Sequence, residues 1–242
     1  MFESLHNHTT SSDGILTREQ LLNVAEKNGL GVLAFTEHDW LPSEQIVTQM
    51  KTYNGPVKWI MGLEVSAGMP TELGGGPNSG IHLVTPFIDP TNPALREHCR
   101  RAMASREERV KDTVKNLQGL GFNVTVDDCL RESAGGSLVR PHIVRAILGH
   151  PENLPILEDL RAKMERAARL DAALKIKYDQ MMAGVEKKGI ENLPYNLFLT
   201  DGAFIPDILA DTHYWKDMGA CVKLIRDAGG VAILAHWQSC MD

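Results

Sequence analysis

The sequence predicts an α/β fold of barrel size, and three observations carry that prediction. Apolar, strand-like runs alternate with amphipathic helical stretches in the first third of the chain. Imidazoles and carboxylates stand at or near the ends of those strands: His6, His8, Asp13, His38, Glu64 and His82. The length of 242 residues suits one barrel-sized domain, for which about 250 residues is typical. In a barrel of parallel strands the C-terminal strand ends build the active site. Side chains of this kind, delivered repeatedly to strand ends, therefore point to a metal centre.

Residues 2–8 read as the first strand, ending in His6-Asn7-His8. Side chains two apart on an extended strand share a face, so both imidazoles reach one ion without bending the chain. Neutral imidazole is a common ligand for zinc, iron and manganese. Residues 17–28 read as a helix: Thr17 is an N-cap, Gln20 completes a capping box, and Gly29 stops it. Residues 31–36 read as a buried strand leading to Glu37-His38-Asp39, residues 43–53 as a helix, and residues 57–65 as a third strand carrying Glu64. The glycine-rich stretch 68–80, with Pro70 and Pro77, reads as a loop before the His82 strand. It is either a lid beside the proposed metals or a plain hairpin or crossover connection.

From Pro93 to about Gly121 the pattern is helical and charged. Arg96, Arg100, Arg101, Arg106 and Arg109 alternate with Glu97, Glu107 and Glu108, which reads as a solvated face with i,i+4 pairing rather than a nucleic-acid arm. Residues 122–126 read as a short strand. A helix starts near Pro141, a residue suited to the first helical turn. Residues 155–190 are helical and polar and read as an insertion packing over a barrel mouth. Residues 217–228 form a helix leading into a strand at 230–236, which ends in His236. One domain is expected over 1–242, with mostly helical insertion within 93–228.

Hydrophobic residues make up 43% and charged residues 23% of the chain, normal for a globular protein. The net charge of −6 argues against a broad basic surface for long nucleic acid. It allows a small phosphorylated substrate, because bound divalent ions invert the local field. Cys99, Cys129, Cys221 and Cys240 are widely spaced, with no C-x-x-C pair, so reduced thiols and a cytoplasmic setting are expected. No apolar run approaches about 20 residues, so no membrane span is expected. The chain reaches its first motif at once, and no signal peptide is expected.

The string His6-Asn7-His8-Thr9-Thr10-Ser11-Ser12-Asp13-Gly14 resembles motif I of the polymerase-and-histidinol-phosphatase (PHP) superfamily. Thr36-Glu37-His38-Asp39 resembles its second motif, with Glu37 where Asp is usual. Gly62-Leu63-Glu64-Val65-Ser66 resembles the segment with the bridging carboxylate, and Ile81-His82-Leu83 the next histidine segment. Gly229 to His236 resembles the strand ending in Ala-His-Pro, with Trp237 replacing the proline. The resemblance implies a distorted (β/α)7 TIM-like barrel and two to three divalent ions, Mn, Zn or Fe. His6 and His8 would serve the first ion, His82 and His236 the second, with Glu64 bridging, and Asp13 and His38 the third. Glu64, Asp13 and His38 would form the catalytic core. The family's late Asp-x-His pair has no counterpart before the sequence stops at Asp242, so the barrel is expected to be incomplete at its C-terminal end. Asp211-Thr212-His213 has the spacing but precedes His236, and a structural role is the default for His213, as for His98 and His150.

Arg140-Pro141-His142 opens a helix, whose N-terminus favours anions, and an arginine there can grip phosphate. A similar segment in the family's small-nucleotide phosphoesterase branch implies substrate contacts for Arg140 and His142, although Val139 stands where glycine would. Phe198 to Pro206 also resembles that branch. Two ions about 4 Å apart lower the pKa of a bridging water toward 7 and clamp a phosphate. The expected activity is thus metal-dependent hydrolysis of phosphate esters of nucleotides or short oligonucleotides. The alternatives are hydrolysis of another bond or phosphate substrate, such as an amide or histidinol phosphate, and a degenerate metal-binding domain without turnover.

Overall fold

The computed structural model describes residues 2–75, 80–200 and 202–236. Trp237, Cys240, residues 76–79 of the glycine-rich loop and Asp201 lie outside them. Among the described residues the chain folds into two compact units. The first takes residues up to Arg106, Ser133–Ser137 and those from His213; the second takes Glu107–Glu132 and Leu138–Thr212. Among the described residues no helix is long and apolar enough to cross a membrane.

Among the described residues the first unit holds a six-stranded mixed sheet. Strands β1 (Phe2–Ser4), β2 (Leu30–Phe35) and β3 (Lys58–Gly68) run parallel, joined by helices α1 (Arg18–Lys27) and α2 (Glu44–Lys51). The expected capping box is present: Gln20 N–H donates to Thr17 Oγ1, and the Thr17 N–H donates to Gln20 Oε1. Strand β4 (Gly80–Pro86) departs from a parallel barrel by pairing antiparallel to β3, from Gly62 opposite Pro86 to Gly68 opposite Gly80. Connection length explains the departure. Parallel neighbours need a crossover of a dozen or more residues, usually with a helix; residues 69–79 are too few for one, and the described part, residues 69–75, holds a 3₁₀ turn at Thr71–Leu73. Strands β3 and β4 are therefore antiparallel neighbours in sequence and in the sheet.

Strand β5 (Lys216–Asp217) pairs parallel with the end of β3, and β6 (Ile233–Leu234) pairs antiparallel with β4. Between them lies helix α9 (Met218–Asp227), capped by Asp217. A core of Leu63, Val65, Ala67, Leu83, Leu95, Cys221 and Ile225 backs the outer strands. Leu22, Leu33, Phe35 and Val57 fill the α1–α2 side. Gly62 is required by close approach: a Cβ there would lie 2.9 Å from Thr36 Cγ2 and 3.0 Å from the carbonyl oxygens of Phe35 and Thr85.

The second unit is helical. Helix α3 (Pro93–Gly119) leads into it, followed by α4 (Val126–Ser133), α5 (Arg140–Leu148), α6 (Leu154–Ala168), α7 (Ala172–Lys188), the short turn α8 (Asn192–Pro194) and a π-helical turn at Tyr195–Leu199. Its core is apolar, built around Leu117, Phe122, Ile147, Leu157, Met164, Leu197 and Phe198. The strand expected at 122–126 does not form. Phe122 and Val124 are buried in alternation, as a strand would bury them, but the backbone partner is a side chain. Asn153 Oδ1 accepts from the Asn123 N–H at 2.8 Å, and Asn153 Nδ2 donates to the Asn123 carbonyl at 2.8 Å.

Candidate metal centre

Glu64 lies in the middle of β3 with its side chain fully buried, and imidazoles surround its carboxylate. His6 Nε2 and His8 Nε2 each stand 2.9 Å from Oε2, and His38 Nδ1 stands 3.4 Å from it. His82 Nδ1 at 3.0 Å and His236 Nε2 at 3.4 Å approach the other oxygen, Oε1. Asp13 lies to one side, with Oδ1 3.2 Å from His8 Nδ1 and Oδ2 3.6 Å from His38 Nε2. All seven expected residues therefore meet.

The route by which they meet corrects one expectation. His6 and His38 follow the C-terminal ends of β1 and β2, and His236 follows β6. His82, however, enters through the N-terminal half of β4, opposite Ser66. Because β4 is antiparallel, its beginning lies beside the end of β3, and the imidazole arrives at the same place. The two-residue alternation at motif I holds. His6 and His8 bring their Nε2 atoms within 3.0 Å of each other, while Asn7 turns away and donates to the carbonyls of Ser4 and Ala34. Beyond His8 the chain folds back sharply, with the Ser12 and Gly14 N–H groups donating to the Thr9 carbonyl. A Cβ at Gly14 would sit 2.3 Å from the His8 carbonyl oxygen. That turn presents Asp13.

The donor set fits divalent ions. Among the described residues three groups could each hold one: His6–His8–Glu64, His8–Asp13–His38 and His38–Glu64–His82. Two donors about 2.1 Å from one ion, at tetrahedral or octahedral angles, are about 3.0–3.4 Å apart. The contacts around Glu64, at 2.9 to 3.4 Å, have that spacing. His38 Nδ1 is buried without a hydrogen bond among the described residues, and Glu64 Oε1, 3.0 Å from His82 Nδ1, has no well-aligned one, a costly state for an acceptor unless a cation faces it. Imidazole with carboxylate is the mixture that zinc, iron and manganese accept.

Charge reinforces the arrangement. Burial would raise the Glu64 pKa, but the close imidazoles of His6, His8 and His82 and the His38 charge hold it far below the carboxylate range. Burial would likewise raise Asp13, and the His38 hydrogen bond with the His38 and His8 charges carries it well down instead. Burial lowers His38, outweighing Asp13 and Glu64. Glu64 and Asp13 thus stay ionised, the state in which a carboxylate binds a cation.

Several residues that hold the site were not singled out in the sequence as its supports. Asp39, fully buried with a left-handed φ of 47°, accepts from the Ser66 N–H at 2.8 Å, from Ser66 Oγ at 2.6 Å and from Arg106 at 2.6 Å. This ties the residue after His38 to the residue two beyond Glu64. Arg106 was counted with the solvated charges of α3; its side chain is 16% exposed and turned inward. Glu37 holds the motif I turn through Thr9 and Ser12. The signal available was that two carboxylates flank His38 at a strand end.

Of the other histidines, His98 is buried against the Tyr214 ring, His150 faces Asp128, and His213 stacks on Trp215. None of the three belongs to a cation-holding group among the described residues. Arg140 and His142 belong to the second unit, at the first turn of α5. His142 is buried, and its Nδ1 accepts from the Val139 N–H at 3.2 Å. This makes His142 part of the helix cap.

No family model matches the chain. Among characterised proteins it is 30% identical over 145 residues to the 5'-3' exoribonuclease Rnm of Salmonella typhimurium, covering 60% of this chain and 47% of that protein. It is 23% identical over 233 residues to the 3',5'-nucleoside bisphosphate phosphatase of Chromobacterium violaceum, covering 96% of this chain and 65% of the relative. The chain thus spans between about half and two thirds of these relatives. In three dimensions it matches a Bifidobacterium adolescentis protein, proposed to be a metal-dependent phosphoesterase, with a TM-score of 0.65 at 21% identity over 97% of this chain and 66% of that one. In motifs, in relatives and in fold, the chain resembles the small-nucleotide phosphoesterase branch of the PHP superfamily.

Proposed function

We propose that this protein is a metal-dependent phosphoesterase acting on phosphate esters of nucleotides or short oligonucleotides. The observation that carries the reading is the convergence of His6, His8, His38, His82 and His236 on the one buried carboxylate of Glu64, with Asp13 beside them. These residues would hold two to three divalent ions, Mn, Zn or Fe, and Glu64 would be shared between sites. When bound, such ions supply an activated water and a clamp for phosphate oxygens.

The chain's own residues have separate tasks. Glu64 and Asp13 stay ionised and keep their imidazole partners oriented. His38 faces both carboxylates, Nε2 toward Asp13 and Nδ1 toward Glu64, and would serve as an ion ligand beside them. Arg140 is assigned to the substrate phosphate, with His142 shaping the helix turn that presents it. No serine or cysteine nucleophile is required. The described cysteines, Cys99, Cys129 and Cys221, are free and buried, and burial pushes Cys129 and Cys221 up to about 12. They support a reducing, cytoplasmic setting and are poor nucleophiles.

A panel of mononucleotides, 3',5'-bisphosphates, short oligoribonucleotides and histidinol phosphate, assayed for phosphate release with and without chelator, tests the reading. Nucleotide substrates should be hydrolysed, and chelation should abolish the release. Turnover that survives complete removal of metal would refute the mechanism. Absence of turnover with every phosphate ester, in a metal-loaded protein, would favour a binding domain. Arg140→Ala should raise KM for the best substrate roughly 10-fold or more, the loss expected for a charge-assisted contact, with metal content unchanged. Unchanged kinetics would leave Arg140 a helix-turn residue.

A further inference from the structure

We propose that Glu37 is a positioning residue for His8, acting through Ser12, and that this link fixes which imidazole nitrogen faces the ion. The inference rests on the metal-centre reading above. Glu37 follows the end of β2 at 2% exposure, and its carboxylate is spent on the motif I turn. The Thr9 N–H donates to its oxygens at 3.2 and 3.1 Å, Thr9 Oγ1 donates to Oε1, and Ser12 Oγ donates to Oε2 at 2.6 Å. Ser12 is itself fully buried, and its Oγ lies 3.1 Å from His8 Nδ1.

A hydroxyl has one proton to give. At 2.6 Å from a carboxylate, the Ser12 proton is committed to Glu37; the competing acceptor, Asp13 Oδ1, is 3.3 Å away. Toward His8, Ser12 can only accept. With an ion on the other side of the ring, His8 therefore carries its single proton on Nδ1, a choice reached from the hydrogen-bond network. The nitrogen left for the ion is Nε2, the atom 3.0 Å from His6 Nε2 and 2.9 Å from Glu64 Oε2. This decides between the two cation groups that share His8. His8 serves with His6 and Glu64. Asp13 Oδ1, 3.2 Å from Nδ1, receives part of the same N–H and remains available to the ion shared with His38.

The chemistry predicts what each substitution does. Glu37→Gln keeps the shape but offers one acceptor oxygen and an NH₂. Thr9 and Ser12 can no longer both be satisfied, and if the NH₂ meets Ser12 the hydroxyl turns its proton toward His8. Ser12→Ala removes the link and leaves the Glu37–Thr9 bonds in place. Glu37→Asp keeps the charge and both acceptors. Losing an outer partner of a metal-bound histidine costs about 10- to 100-fold in affinity.

The test is zinc titration together with long-range ¹H–¹⁵N correlation of ¹⁵N-histidine-labelled, zinc-loaded protein, with circular dichroism as the folding control. Wild type should show His8 with its proton on Nδ1 and zinc on Nε2. Glu37→Gln and Ser12→Ala should bind zinc about 10- to 100-fold more weakly and lose the single tautomer, and Glu37→Asp should restore both. Should Glu37→Gln fail to fold, Ser12→Ala carries the test alone. A wild-type His8 with its proton on Nε2, or undiminished zinc affinity in folded Ser12→Ala, would overturn the proposal. Both readouts are taken without substrate. A protein that binds zinc as described but hydrolyses no phosphate ester would sink the phosphoesterase reading and leave this one standing. A wild type that binds no zinc would end both.

Discussion

In the strand-built unit the interior is crowded with polar atoms; in the helical unit it is almost all hydrocarbon. Thr9, Ser12, Thr36, Glu37, His38, Asp39, Glu64, Ser66 and Thr85 are all buried around the ends of β1 to β4. The helical unit buries Val110, Leu117, Phe122, Ile147, Leu157, Met164 and Phe198, and its buried polar residues, such as Thr113, Asp128 and Asn153, are few. Burying a polar group costs free energy unless a partner is supplied. The first unit accepts that cost at residues that hold, or hold in place, the candidate ligands. Its polar core reflects positioning, and the apolar core of the second reflects stability.

The sharpest way to break this comparison is at Glu64. Glu64→Ala removes the carboxylate common to five imidazoles. Turnover should fall to background, about 10³-fold or more, the scale on which bound metals act on a hydrolytic barrier. Metal content per chain, measured by elemental analysis, should fall with it. Retained metal and turnover would remove Glu64 from the centre of the site.

The reverse experiment belongs in the helical unit. Ile147 on α5 is fully buried in the apolar cluster, so Ile147→Ala should cost about 2–5 kcal/mol of unfolding free energy. Zinc affinity of the folded protein should be unchanged. A loss of zinc affinity without a loss of stability would show that the division of labour is wrong.

Between these extremes lies the Asp39–Arg106 pair. Arg106→Ala leaves a buried, hydrogen-bonded carboxylate without its cation, and breaking such a pair typically costs about 3–5 kcal/mol. The lower end is appropriate here, because Arg106 keeps some exposure. Adding Asp39→Asn removes the stranded charge, so the double variant should be more stable than Arg106→Ala by denaturant unfolding. A double variant that is less stable would mean that Asp39 matters through Ser66 alone.

What was legible follows from the same contrast. The candidate ligands could be read because imidazoles and carboxylates at strand ends are rare and locally patterned. His6-x-His8 follows from strand alternation, and Thr17 with Gln20 from capping chemistry. The supports could not be read, because Arg106 meets Asp39 across 67 residues and its own neighbours on α3 look like a solvated helix. The direction of β4 was hidden in a loop length, not in any residue. At Asn123 the alternation of buried and exposed residues was right, and the element was wrong, because a side chain 30 residues away took the place of a strand. Periodicity reports which residues are buried; it does not report what their backbones bond to.

The smallest effect sharpens the comparison from the side of the proton. Burial alone would lower the His8 pKa, but the Glu64 hydrogen bond and the charges of Asp13, Glu64 and Glu37 outweigh it, and in metal-free protein the pKa is raised. A group whose pKa rises on folding contributes stability that is complete below its unfolded value, about 6.5 for histidine, and that is lost as pH rises through the folded value. Glu64 and Asp13, held far down, keep their charge throughout this window and add no slope. His38, lowered by burial, works in the opposite sense, so the quantity to read is the stability of wild type minus that of His8→Gln, not wild type alone. In chelator-treated protein that difference should shrink between pH 6 and pH 8. Zinc affinity should rise over the same interval, because the ion requires the neutral ring. A metal-free stability difference that instead grew with pH would mean that burial wins at His8, and that Glu64 does not hold its proton.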